Sequence, residues 1–228
     1  MSAYFSEASF DFLSELARNN ERDWFNDNKH RYEQQVRGPA LAFIEDIAPE
    51  LQLIAPRFLA LPKKVGGSLM RVYRDTRFGR DKTPYKTNIG IQFRHETGKD
   101  VHAPGYYLHL APQECFFGAG IWRPDGGALG LIREAIRDNG DKWLAARDDA
   151  DFSDHYVLEG ESLKNAPRGF AKDHPLLEDL KRKDFIGIAH FERELALSAD
   201  FLHQTVTHFA YATRYMQFLC GALGVRFD

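Results

Sequence analysis

The chain has 228 residues, of which 43% are hydrophobic and 28% charged, and its formal net charge is −3. This composition is typical of a globular protein and excludes a disordered tail, and a pI near 6.3 argues against a protein that coats nucleic acid through an extended basic surface. No apolar run approaches the roughly 18 residues that a membrane-spanning helix needs, and the first residues lack a signal-peptide pattern, so we predict a cytoplasmic protein.

The first sixty residues are predicted to be helical. Apolar residues at helical spacing indicate one helix over residues 6–17 and a second that begins at Glu21. Gly38-Pro39 is expected to stop the second helix and to start a third. Pro49 lies within the third helix and is expected to kink or split it, because proline has no amide donor.

After Pro62 the apolar pattern changes to a period of two, which predicts strands at residues 69–74, 88–94, 105–110 and 115–121. Short connections between them favour an antiparallel meander. One face is expected to pack on the helices through Met70, Val72, Ile89, Ile91, Phe93, Tyr106, Leu108 and Leu110. The opposite face is predicted to be polar and to carry Arg71, Tyr73, Gln92, Arg94, Tyr107 and His109. Gly118 and Gly120 leave room on that face, beside a wall of Trp122 and Arg123.

The second half of the chain is predicted to be helical around one further strand. Asp125 is expected to cap a helix that ends near Gly140, and residues 148–154 are predicted to form an acidic, solvated connector. A fifth strand is expected at residues 185–191 and a long closing helix at 199–220, capped by Ser198.

These elements predict an α+β fold: a largely antiparallel sheet of about five strands, with amino-terminal helices and a long carboxy-terminal helix packed on it. No repeat or flexible linker divides the chain, so a single domain is expected over residues 1–228. Cys115 and Cys220 lie far apart outside any metal-binding pattern, which favours two buried thiols.

The residues from Ser68 to Asn88 form a basic segment with a local charge of +4. Two acids, Asp75 and Asp81, face six cations, which are Arg71, Arg74, Arg77, Arg80, Lys82 and Lys86. Guanidinium groups match the geometry of carboxylate and phosphate, so the segment is a candidate anion site. Arg80 beside Gly79 is expected at the tip of the loop.

Five ordered segments give the chain a family resemblance. They read FLSELARNNERDWFNDNKHRYE, RVYRDTRFGRDKTPYKTNIG, PGYYLHL, GAGIWRP and LKNAPRGFAKDHP. Together they resemble the bacterial and fungal conserved hypothetical proteins called domain of unknown function 2461. The resemblance spans nearly the whole chain and implies an α+β domain without an established role, so it carries over no catalytic residue.

Our leading hypothesis is a pocket for a phosphorylated or carboxylated small molecule. Its predicted ligand-binding residues are Arg71, Tyr73, Arg74, Arg77, Lys82, Tyr85, Lys86, Arg94, Tyr107 and Trp122. His109 is a weak candidate for proton transfer because histidine titrates near neutral pH. A basic loop with Lys164, Arg168, Lys172 and His174 is a possible lid over the same site.

Two other hypotheses remain open. A nucleic-acid module would grip phosphates with the basic segment and stack bases on Tyr73, Phe78, Tyr85 or Trp122. A structural or protein-interaction domain would pair its arginines internally with Asp75, Asp81 or other acids. The chain lacks the common nucleotide-binding, hydrolase and metal-binding motifs, so no cofactor, metal or membrane partner is expected and no reaction is assigned.

Overall fold

The computed structural model describes residues 3–77, 81–98 and 103–228, and it shows an α+β fold. The helices are α1 (Glu7–Arg18), α2 (Arg22–Asp27), α3 (Lys29–Tyr32), a π-helical turn (Glu33–Arg37), α4 (Gly38–Ile54), α5 (Gly126–Asp138), α6 (Gly140–Arg147), α7 (Ala150–Ser153), α8 (Leu177–Lys181), α9 (Arg193–Ala196), α10 (Phe201–Tyr211) and α11 (Thr213–Ala222). The strands are β1 (Phe58–Leu59), β2 (Ile89–His95), β3 (Gly105–Leu110), β4 (Cys115–Ile121), β5 (Val157–Glu159) and β6 (Phe185–Phe191). They form one antiparallel sheet in the order β1-β2-β3-β4-β6-β5.

The amino-terminal region is helical as predicted, and α4 begins at Gly38 as expected of the Gly38-Pro39 pair. The second predicted helix is divided into α2 and α3, however, and the chain passes into α4 without the expected stop. Gly38 keeps a right-handed helical conformation, and its N–H donates to the Glu33 carbonyl five residues earlier. This π-helical turn lets the chain continue into α4, where Pro39 occupies a first-turn position that needs no amide donor. Pro49 does not split α4, which runs unbroken to Ile54.

The predicted strands in β2, β3, β4 and β6 are confirmed, whereas the strand predicted at residues 69–74 is wrong. That segment makes only two isolated bridges, Leu69 with Ile91 and Tyr73 with Tyr85. The register shifts by two residues between these bridges, so no continuous ladder forms. The edge strands β1 and β5 went unpredicted because two and three residues are too few to show a period.

One face of the sheet packs against α4, α10 and α11. The predicted apolar face is confirmed for the strand residues, and rings from both layers interlock, as in the contact of Tyr106 with Phe209 at 4.8 Å. Met70 is the exception, since it lies beside Gly90 on the opposite face of the sheet. The other face of β2, β3, β4 and β6 therefore remains available for a site.

Two predictions for the second half of the chain are corrected. The closing helix is not one long helix, because it divides at Ala212 into α10 and α11, and α10 follows Asp200 rather than Ser198. The apolar stripe hides this break because Phe209 and Met216, one on each side, are both buried. The expected solvated connector contains α7, whose Phe152 is buried.

Two sequence signals for the second half of the chain are confirmed. The Asp125 side chain caps α5 by accepting a hydrogen bond from the Ala128 amide. Cys115 and Cys220 are free and buried. Within the part of the chain that the structure describes, no helix is long and apolar enough to cross a membrane.

Candidate functional site

A cavity of about 410 Å3 lies over the sheet face that the helices leave uncovered. Three glycines, Gly105, Gly118 and Gly120, contribute to its floor on β3 and β4. Gly120 has φ +131°, and a Cβ there would overlap the carbonyl oxygen of Phe185 on β6. A Cβ on Gly118 would only reach ordinary contact with Tyr107 and Ile188. The cavity thus owes its depth to positions without side chains.

Aromatic and aliphatic side chains form the walls. His109 on β3 stacks on Phe116 of β4, with ring centroids 4.6 Å apart and planes inclined by 6°. Ile186 and Ile188 line the side formed by β6. Trp122, which is 46% exposed, lies at the mouth. The predicted wall at Trp122 therefore borders a real concavity.

A buried carboxylate holds the turn that carries Trp122. Asp184 accepts the Arg123 amide at 2.8 Å with one oxygen and the Glu161 amide at 2.9 Å with the other. Arg123 has φ +48°, a left-handed conformation that is uncommon for a residue other than glycine. The Arg123 guanidinium lies 4.9 Å from the centre of the Trp122 ring. Asp184 thereby fixes one edge of the cavity.

Hydrogen-bonding groups gather near β2 and β3. Tyr107 Oη lies 3.1 Å from His109 Nδ1, and Asn88 Nδ2 lies 3.5 Å from the same nitrogen. Glu114 Oε1 is 3.9 Å from His109 Nε2. Burial lowers the pKa of His109, an effect that Glu114 opposes, while burial raises the pKa of Tyr107 to about 12. The phenol is therefore neutral near pH 7 and can donate a hydrogen bond.

Lys86 is the cationic residue in the lining of this cavity. It is half-buried, and its Nζ lies 3.9 Å from the sulfur of Met70. Burial lowers the pKa of Lys86, and the charges of Arg71 and Arg74 lower it further. Among the described residues, no carboxylate forms an ion pair with Lys86. Within the described part of the chain, this half-buried positive group thus has no carboxylate to compensate it.

The position of Lys86 depends on a contact with the amino-terminal helices. Asn20, between α1 and α2, forms two hydrogen bonds of 3.0 Å with the backbone of Tyr85, one to its carbonyl and one from its amide. The buried Tyr85 ring stacks on Phe25 of α2 at a centroid distance of 4.1 Å. Tyr85 therefore points into the helical layer while the next residue, Lys86, lines the cavity.

The structure divides the predicted site residues between two places. Lys86, Tyr107, His109 and Trp122 line the cavity described above, which we call the sheet pocket. Tyr73, Arg74 and Tyr85 instead line a second pocket of about 310 Å3, together with Arg22 of α2.

Three other cations of the basic segment, Arg74, Arg77 and Lys82, have contacts of their own. Arg74 pairs with Asp81, and Arg77 pairs with Asp75, each at 2.7 Å. The Arg77 guanidinium holds the pKa of the Asp75 carboxyl far below its usual value. Lys82 Nζ donates to the Thr76 carbonyl at 2.7 Å.

Several predicted residues lie outside the lining of the sheet pocket. Arg71 is exposed, although its charge acts on Lys86. Arg94 shares the sheet face but is not part of the lining. The possible lid residues, Lys164, Arg168, Lys172 and His174, are likewise absent from the lining. Phe78 and Arg80 lie outside the described residues.

The pocket residues that the sequence did not single out for the site include Met70, Asn88, Phe116, Ile186 and Ile188. Alternation would have placed Phe116 on the open face, since it pairs with His109 across β3 and β4. The position of Ile188 in the pocket could not be predicted, because it depends on the pairing of β6 with β4. That long-range pairing has no local signal in the sequence.

The family comparison covers most of the chain. The model of a family described as "Conserved hypothetical protein (DUF2461)" matches residues 8–218. No curated protein matches the chain. The family description names neither a ligand nor a reaction, so the chemistry of the site has to be argued from its residues.

Proposed function

The chain belongs to the conserved hypothetical proteins of the DUF2461 family, and we propose that it binds a small carboxylated or phosphorylated molecule in the sheet pocket. The observation that carries this proposal is Lys86, a half-buried cation in the cavity wall with no ion-pair partner among the described residues. An uncompensated buried charge is costly, and an anionic ligand would supply the missing partner.

The rest of the pocket suits the non-ionic part of such a ligand. Trp122, Phe116 and Ile188 offer apolar contact, and Asn88 and Tyr107 offer hydrogen bonds. A cavity of about 410 Å3 is within the usual range for small-molecule sites. The ligand is therefore expected to place its anionic group near Lys86 and an apolar or planar part over the glycine floor.

The two alternative functions gain less support. Tyr85 is buried against Phe25, so it is not available to stack on a nucleic-acid base. The ion pairs of Arg74 and Arg77 are the kind expected of a structural role, but that explanation does not extend to Lys86. Salt dependence distinguishes the first alternative, because binding to RNA or single-stranded DNA weakens steeply as salt rises.

Thermal unfolding with a panel of ligands tests the proposal. Nucleotides, sugar phosphates and dicarboxylates are compared on the unmodified protein, on Lys86→Met and on Lys82→Met. Lys82 is the matched control because it belongs to the same basic segment but is exposed and donates to a backbone carbonyl.

A ligand present at a hundredfold excess over its Kd stabilises the protein by about 2.7 kcal/mol. We expect one class of anion to raise the midpoint of the unmodified protein and of Lys82→Met, and to leave Lys86→Met unchanged. No response of the unmodified protein to any of these anions, or equal losses in both variants, would contradict the proposal.

A further inference from the structure

Lys86 differs from other lysines of the chain in what surrounds its amine. Lys181 pairs with Glu178 at 2.7 Å, Lys183 pairs with Glu161 at 3.0 Å, and Lys82 donates to a carbonyl oxygen. The Lys86 amine instead contacts the weakly accepting sulfur of Met70 at 3.9 Å. Within the described residues, it therefore has no oxygen acceptor of the kind that normally stabilises an ammonium ion.

This environment increases the neutral fraction of the amine, for two physical reasons. Burial removes water from the ammonium ion, and the positive charges of Arg71 and Arg74 repel it, and both effects lower the pKa of Lys86. A desolvated lysine next to other cations is the usual form of an amine nucleophile, because only the neutral nitrogen has a lone pair to attack with.

The sheet pocket also holds groups that carbonyl chemistry requires. It has room for a small organic molecule, and Phe116 and Ile188 give it apolar walls. Tyr107 and His109 share a hydrogen bond at the polar end of the pocket, where they can pass a proton to an oxygen atom. The ammonium form of Lys86 attracts a carboxylate.

We infer that Lys86 forms an imine with a small oxo acid, a molecule that carries both a carbonyl carbon and a carboxylate. The inference rests on the proposed function and specifies the class of its ligand. The Nζ lone pair forms a bond to the carbonyl carbon, and the carbonyl electron pair moves to oxygen, which takes a proton. The nitrogen then loses a proton, the hydroxyl takes that proton and leaves as water, and a protonated carbon–nitrogen double bond remains.

The step releases one water molecule and needs no oxidant or reductant. The protonated imine keeps the positive charge of the original ammonium ion, so the attraction for the carboxylate survives the reaction. The structure thus assigns two roles to one residue: the charge of Lys86 draws the ligand in, and its neutral fraction reacts.

Reductive trapping of the full-length protein tests this inference. The protein is incubated with pyruvate as the probe and with cyanoborohydride, which reduces an imine to a stable amine, and modified lysines are located by peptide mass spectrometry. We expect Lys86 to be modified severalfold faster than the exposed Lys82. Succinate, which has carboxylates but no ketone, should protect Lys86 and leave Lys82 unprotected.

Anion binding and adduct formation are measured separately on the unmodified protein, so the inference and the proposed function can fail independently. Lys86→Arg cannot form an imine and should show no adduct at residue 86, while Lys82 should still be modified at its ordinary rate. Protection by succinate is measured on the unmodified protein, so it does not depend on how well the variant folds.

The outcomes distinguish the imine at Lys86 from the anion site. Anion binding without an adduct at Lys86, or modification of Lys82 at the same rate, would overturn the imine and leave the proposed function standing. An adduct at Lys86 that no anion protects would uphold the reactive amine and overturn the anion site. Absence of both adduct and anion binding would overturn both.

Discussion

The imidazole of His109 is enclosed by the pocket it lines, and this makes the stability of the fold dependent on pH. Its pKa is lowered from the ordinary value of 6.5, chiefly by burial, so the folded state holds fewer protons than the unfolded state just below that pH. The resulting stability is fully present above pH 6.5 and is lost as the pH falls through the folded-state pKa.

We therefore expect the free energy of unfolding to decrease from about pH 7 to about pH 5. The free energy of unfolding of His109→Gln should decrease less over the same interval. Urea denaturation at several pH values measures both. His208, which is half-buried and also has a lowered pKa, contributes in the same direction to the slope that remains in the variant. An identical slope in both proteins would show that His109 does not titrate differently on folding.

The segment that carries Lys86 is joined to the helical layer through one side chain. Asn20 makes both hydrogen bonds to the Tyr85 backbone, whereas its neighbour Asn19 only donates to the Glu15 carbonyl at the exposed end of α1. Asn20→Ala is expected to destabilise the protein by about 1–3 kcal/mol, since it leaves two backbone groups without partners. Asn19→Ala is the control and should lower the stability of the protein by less.

Urea denaturation of these two variants gives the stability changes, and the ligand panel gives their effect on the site. We expect Asn20→Ala to weaken the response to anions as well, because the backbone before Lys86 loses its support. Equal stability changes in the two variants would contradict this role of Asn20.

Two glycines on β4 provide a second matched pair. Gly120→Ala is expected to cost more than about 2 kcal/mol, because φ +131° disfavours a side chain and the added carbon overlaps the Phe185 carbonyl oxygen. Gly118→Ala is expected to change stability by less than about 1 kcal/mol, since its methyl group makes ordinary contacts. Chemical denaturation measures both, and a large loss for Gly118→Ala would contradict our account of the floor.

At the scale of elements, the sequence predicted what a single strand or helix shows by itself. Alternation correctly placed Tyr107 and His109 on the open face, because that pattern depends only on the pleat. It placed Met70 wrongly, because the segment before the basic loop is held by two bridges out of register. Ile188 could not be found, since its approach to Gly118 depends on how distant strands pair.

Dependence on distant contacts also explains why the ion pairs of the basic segment could not be predicted. The sequence showed two acids against six cations, but it could not predict that Lys86 would be a half-buried cation without a carboxylate partner among the described residues. Arg74 and Arg77, central to the predicted motif, pair with Asp81 and Asp75, whereas Lys86 at its end enters the cavity. Ion-pair partners depend on loop geometry, which a linear pattern does not encode.

For the whole molecule we expect one cooperative unfolding transition, as a single domain over residues 1–228 would show. The reactivity of Cys115 and Cys220 measures this transition, because both thiols are buried in the shared core. Burial raises the pKa of both thiols, that of Cys220 to about 12. Neither thiol should react with a disulfide reagent in the native protein. Their exposure in urea should coincide with the change in tryptophan fluorescence, and a thiol that reacts earlier would reveal a separately unfolding part.

Tyr85 and Lys86 have opposite orientations, and they therefore link the amino-terminal helices to the sheet pocket. The Tyr85 ring packs against α2, and the next residue, Lys86, lines the cavity. Both contacts therefore depend on the conformation of the same short segment of backbone. A free-energy coupling of this kind is reciprocal. Occupancy of the cavity should therefore slow amide hydrogen exchange in α1 and α2, and a partner that loosens those helices would lower the affinity of the site without touching it.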